Sequence, residues 1–135
     1  MELHNDPTLA EEYLAVRREL VLPFTREEAW PLLGDPAELE TWFADEVGFE
    51  IEEGASGPVR VDEGERFAVV EEVVEGRRIS FRWWDPAEPA AETLVEMTLD
   101  DVADGTRLVV VELPVQSLPA APAGPGGGPQ LAAAR

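Results

Sequence analysis

Residues 21–43 read V-L-P-F-T-R-E-E-A-W-P-L-L-G-D-P-A-E-L-E-T-W-F, and no other stretch of the chain constrains its fold as tightly. The stretch opens at the end of an apolar strand. Thr25 follows as a helix N-cap. Glu28, three residues on, completes a capping box in which side chain and backbone satisfy each other's N–H groups. Glu27 and Glu28 also suit the positive start of a helix dipole. Ala29, Trp30, Leu32 and Leu33 make the apolar side of that helix. Pro31 lacks an N–H and is tolerated only near a helix start, so the helix is expected to be short or distorted. Gly34-Asp35-Pro36 ends it and opens a second segment, 37–43, with Leu39, Trp42 and Phe43 facing inward.

Strands surround this pair of helices. The first is expected at 16–24, with others at 47–53, 58–62, 65–74, 77–84, 92–100 and 106–113. Glu75-Gly76 reads as a two-residue hairpin turn. Pairing 74 with 77 then sets Val70 opposite Phe81 and Ala68 opposite Trp83, with Val74 and Ile79 on the same apolar face. Arg78, Ser80 and Arg82 take the other face. One apolar and one mixed face is the pattern of an antiparallel sheet covered on one side. Asp101 to Gly105 supplies the last hairpin turn. Before this body, 1–15 is a polar N-terminal segment, with a turn of helix expected over 8–13. After it, 115–135 is a Pro/Gly-rich tail that cannot build a core and is expected to be disordered. Residues 16–114 make the one domain.

Composition narrows the function. The chain carries 29 acidic residues against 10 basic ones, all arginine, for a net charge of −19. Such a surface repels nucleic acid and anionic membranes, so neither is an expected partner. No apolar run nears the roughly 20 residues that cross a bilayer, and no basic, apolar leader opens the chain. The expected location is cytoplasmic. There is no cysteine or lysine, and the one histidine is His4. Thiolate, Schiff-base and histidine-dependent triad mechanisms therefore lack their main actors. No His/Cys/Asp cluster has zinc spacing, and Asp100, Asp101 and Asp104 do not form a calcium loop. No cofactor and no metal are expected.

Several motifs share one order and spacing. Pro23 to Trp30 gives a strand exit and helix, and Asp35-Pro36 with Leu39 and Trp42-Phe43 gives a "D-P-x-x-L-x-x-W" helix. Arg78-Ile79-Ser80-Phe81-Arg82-Trp83 gives an aromatic strand, and Asp104-Gly105-Thr106-Arg107-Leu108 a "G-T-R-L" hairpin. In these features residues 16–114 resemble the START-like (SRPBCC, helix-grip) superfamily, in the branch of activator of heat-shock-protein-90 ATPase homologues, which is also polyketide cyclase-like. The resemblance implies an α+β helix-grip fold: a curved antiparallel sheet of about six to seven strands, with two short helices after the first. It implies a cup that holds an apolar molecule. The long C-terminal helix usual in that superfamily is expected to be absent or truncated here, its place taken by the Pro/Gly-rich tail. A sheet face left uncovered would be a large apolar patch. A protein partner, a second copy, the N-terminal segment, a ligand or the tail is expected to cover it.

Aromatic and apolar side chains are the candidate binding residues. Trp30, Trp42 and Phe43 come from the helices; Phe49, Val70, Ile79, Phe81, Trp83 and Met97 come from the strands, with Phe67 beside them. Trp84 points the other way. Glu71 and Glu72 interrupt an apolar strand, and neighbours in a strand face opposite sides, so one of them faces the cup unless the strand bulges. The hairpin register puts Glu72 there, beside Ile79, as a possible general acid or base. Glu71 is read as an ion-pair partner of Arg82 or Arg78. The leading expectation is a non-enzymatic domain binding an apolar or aromatic small molecule, oriented by Arg82, Glu72 or Tyr13. One alternative is a co-chaperone-like module acting through its acidic surface. The other is a polyketide cyclase- or dehydratase-like enzyme using Glu72.

Overall fold

A computed structural model describes residues 4–5, 16–62 and 64–115. Tyr13, the helical turn expected over 8–13 and nearly all of the Pro/Gly-rich tail lie outside the described residues. Eight antiparallel strands form one sheet, in the order β1-β2-β8-β7-β6-β5-β4-β3. They are β1 (His4–Asn5), β2 (Val16–Leu22), β3 (Glu46–Val47), β4 (Ser56–Val61), β5 (Gly64–Val74), β6 (Arg78–Asp85), β7 (Glu88–Val102) and β8 (Gly105–Pro114). The sheet curls into a half-barrel, and the described residues hold no long C-terminal helix. Nor do they hold a helix long and apolar enough to cross a membrane.

Three four-residue helical turns follow β2: α1 (Arg26–Ala29), α2 (Pro31–Gly34) and α3 (Pro36–Leu39). The first two divide the one helix expected there. Pro31 has no N–H to give, so the helix breaks between Trp30 and Pro31 and restarts with proline in its first turn. The capping box stands as read: Thr25 Oγ1 accepts from the Glu28 N–H at 3.1 Å, and Glu28 Oε1 accepts from the Thr25 N–H at 2.9 Å. Asp35 caps α3 by accepting from the Ala37 N–H at 2.9 Å. Arg26 pins α1 to two hairpins, donating to Asp101 Oδ1 and to the Gly76 carbonyl, each at 3.1 Å.

The apolar face of the sheet is filled. Val59, Ala68, Val70, Ile79, Phe81, Val95, Met97, Leu99 and Leu108 are buried in one cluster with Ala29, Leu33 and Leu39 from the helices. The exposed large hydrophobic residues are Val16, Val21 and Phe24.

Two strand expectations change. The strand at 47–53 shrinks to Glu46–Val47. Beyond Gly48 the chain leaves the ladder, and Phe49 turns into the core while Glu50, Glu52 and Glu53 stay exposed. A loop plugged into the core by Phe49 and Ile51 shows the same alternation in sequence as a strand. The β5–β6 register changes as well. Val74 pairs with Arg78, not Arg77, so the turn has three residues, with Gly76 at φ 81°. A bulge between Val70 and Glu72 takes up the extra residue, so Val70↔Phe81 and Ala68↔Trp83 hold as expected. Val73 therefore faces the cup, opposite Ile79, while Glu72 sits opposite Ser80 on the outer face. Both adjacent carboxylates escape burial, which for an unpaired charge costs several kcal/mol. The loop covers the edge at the bulge: the Gly54 N–H donates to the Val70 carbonyl, and the Val70 N–H donates to the Ala55 carbonyl.

Candidate functional site

A chain of aromatic rings runs from the core to the open end of the cup. Phe49 packs on Phe81, Phe81 meets Trp83 edge-on, and Trp83 stacks on Phe43 with centroids 5.3 Å apart and planes 21° from parallel. Trp42 follows, edge-on to Phe43 at 5.7 Å. The turns after α3 deliver Trp42 and Phe43. The Trp42 indole Nε1–H donates to the Leu32 carbonyl at 3.0 Å, which holds that end of the helical layer in place.

Where the ring chain reaches the surface there is an open cavity of about 520 Å³. Trp42, Phe43, Trp83, Val61 and Val110 form its apolar wall. Arg18 of β2, Arg66 of β5 and Glu112 of β8 form much of the polar wall, with Glu40, Asp45 and Asp62 at the rim. A smaller cavity of about 220 Å³ shares Arg66, Trp83 and Glu112 with it.

Glu112 is tied down at one oxygen. Its Oε2 accepts from Trp83 Nε1–H at 2.9 Å and from Thr93 Oγ1–H at 2.7 Å. The Arg66 guanidinium lies 4.4 Å above the Trp83 ring, a cation–π contact, with its Nη1 3.7 Å from the same Glu112 oxygen. Burial of the Trp83 indole (5% exposed) makes its N–H need a partner, and Glu112 supplies one.

The residues expected to bind divide into three groups. Trp42, Phe43 and Trp83 line the cavity. Phe49, Val70, Ile79, Phe81 and Met97 are sealed in the core, and Trp30 packs against that core beside Gly34. Glu72 is turned away by the bulge and receives a hydrogen bond from Arg78 Nε at 3.0 Å; that bond and the attraction of Glu72 raise the Arg78 pKa. Arg82, expected to orient a ligand, is also on the outer face. It donates to Glu71 at 2.6 Å and to Glu92. Burial alone would lower its pKa, but the bonds and charges of those two carboxylates outweigh it and raise the value. Phe67 packs on Trp84, away from the cup. Among the described residues no group of acidic or histidine side chains is placed to hold a metal ion.

Arg18, Arg66, Thr93 and Glu112 were not singled out from sequence. A signal was present for Glu112. In Thr106-Arg107-Leu108-Val109-Val110-Val111-Glu112, period-two counting from the buried Leu108 puts Val110 and Glu112 on the same face.

A curled antiparallel sheet gripping short helices, with a cavity at its open end, defines a START-like, helix-grip domain. The sequence model of the family described as Activator of Hsp90 ATPase homolog 1-like protein matches residues 23–127, and the chain belongs to that family. Comparison with curated proteins gives no match. Among solved structures, MLL2253 from Mesorhizobium loti superposes with a TM-score of 0.64 at 24% identity, over 73% of this chain and 74% of that one. CalU16 from Micromonospora echinospora gives 0.60 at 21% identity, over 73% of this chain and 59% of CalU16. DynU16, a protein in the dynemicin biosynthetic locus, gives 0.59 at 26% identity, over 83% of this chain and 39% of DynU16. The chain thus spans less than two thirds of CalU16 and under half of DynU16.

Proposed function

We propose that this chain is a non-enzymatic START-like domain that takes an apolar or aromatic small molecule into the open end of its cup. One observation carries the reading: a cavity of about 520 Å³ whose apolar wall is Trp42, Phe43 and Trp83. That volume is in the range of small-molecule sites, and polar groups, Arg18, Glu40, Arg66 and Glu112 among them, make up the larger share of the cavity's exposed lining. The place of DynU16 in a biosynthetic locus is in keeping with a small-molecule role. Orientation of the ligand passes from Arg82 and Glu72, which lie on the outer face, to Arg66 and Glu112, two of the polar groups on the cavity wall; Tyr13 lies outside the described residues. The test is a panel of apolar, aromatic and polyketide-like compounds read by tryptophan fluorescence and thermal melts. A saturable quench with a raised melting temperature is expected. A flat response across the panel would overturn the reading.

Glu112 favours a second reading, a cyclase- or dehydratase-like enzyme. It places a carboxylate within the cavity, where Glu72 had been expected. In that case Glu112→Gln abolishes turnover of a bound polyketide-like substrate and leaves its binding, while Glu72→Gln changes neither.

A further inference from the structure

We infer that the ligand carries a hydroxyl group, phenolic or enolic, which sits between Arg66 and Glu112. The inference rests on the cavity being the binding site. Its basis is an ion pair that does not close. Arg66 Nη1 and Glu112 Oε2 are 3.7 Å apart, beyond hydrogen-bond length. Oε2 is already occupied by Trp83 and Thr93. Among the described residues Oε1 accepts no hydrogen bond and the Arg66 guanidinium donates none. The cavity wall therefore sets an unused donor array beside an unused acceptor.

Charge selects what fits there. A ligand carboxylate would satisfy Arg66 but would face Glu112, with Glu40, Asp45 and Asp62 around it, in a chain of net charge −19. A ligand cation would satisfy Glu112 but would press on Arg66 and Arg18. A hydroxyl accepts from Arg66 and donates to Glu112, and it brings no net charge. Its ring lies along the Trp83–Phe43 stack. The Arg66–Glu112 pair borders both cavities, so the body of the ligand can extend to either side of the polar group. A ligand of the same shape without the hydroxyl dries both groups and pairs neither, which is the condition under which hydrogen bonding discriminates strongly.

Isothermal titration of the whole chain with naphthalene, 2-methoxynaphthalene, 2-naphthol and 2-naphthoate tests this. The expected result is that 2-naphthol binds about tenfold or more tightly than 2-methoxynaphthalene. The methyl ether keeps the oxygen that accepts from Arg66 and lacks only the donor to Glu112. Arg66→Met, which keeps an apolar stem over Trp83, should therefore erase any advantage of 2-methoxynaphthalene over naphthalene and weaken 2-naphthol, while 2-naphthol stays the tighter of the two oxygenated compounds through Glu112. Equal affinity for the three neutral compounds would overturn the hydroxyl clamp and leave the aromatic cavity standing. Tightest binding by 2-naphthoate would replace the clamp with an anion site at Arg66. No binding by any of the four would overturn the cavity reading, and the clamp with it. The wild-type series decides these outcomes even if the variant does not fold.

Discussion

Trp83 joins more of the site than any other residue. Its ring stacks on Phe43, supports the Arg66 cation and donates its N–H to Glu112. Trp83→Phe keeps a ring but removes the donor, so a loss of about 1 kcal/mol in chemical denaturation is expected, with aromatic binding retained. Trp83→Ala should cost about 3–5 kcal/mol and abolish binding. Glu72→Gln should change ligand affinity within error, because the carboxylate lies on the far face of the sheet. A loss of binding on that substitution would contradict the β5 register. Trp42, Phe43 and Trp83 were legible in sequence as a helical pair and an aromatic strand. Arg66 was not, because charged residues on strands are usually solvated. Glu112 carried only the period-two signal that puts it on the face of Leu108, and the partners that gather around it mark it out.

At the scale of elements, local chemistry was the more legible part. The capping box at Thr25 and Glu28 and the break at Pro31 follow from backbone hydrogen-bonding rules that need no tertiary context. Thr25→Ala should lower stability by about 1 kcal/mol, read as a shift in the urea midpoint with an unchanged slope. Gly105 opens β8 at φ 149°, and a Cβ there would lie 1.9 Å from the Leu22 carbonyl oxygen. Gly105→Ala is therefore expected to be severely destabilising, enough to cut the yield of folded protein sharply. Register was less legible. Reading Glu75-Gly76 as a two-residue turn placed Val70 and Ala68 correctly and Glu72 and Val74 wrongly, since Val74 pairs with Arg78 on the outer face. A bulge leaves no mark in sequence beyond the adjacent acids it keeps out of the core.

Across the whole molecule, the sheet has two faces of opposite character. One is the buried core leading out to the ring-lined cavity. The other is laced with ion pairs: Arg78 with Glu72 and Glu96, Arg82 with Glu71 and Glu92, and Arg107 with Glu19. Such half-exposed pairs contribute little each, and a net charge of −19 still repels itself. Raising ionic strength from low salt to about 0.15 M should therefore raise the melting temperature, as screening relieves more repulsion than it weakens attraction. The helix-grip class was legible because strand, paired short helices and strand run appear in that order in the sequence. The cavity was not, since it depends on which aromatic residues the core consumes and which it leaves at the mouth.

A small molecule docked beside Trp83 is the central expectation. The most direct measurement is the indole N–H region of a ¹⁵N-correlated NMR spectrum, assigned with single Trp→Phe variants and titrated with 2-naphthol. The Trp83 and Trp42 signals should shift in a saturable way while Trp30, packed against the core away from the cavity, stays in place. Stationary Trp83 and Trp42 signals at saturating compound, or shifts confined to Trp30, would contradict it.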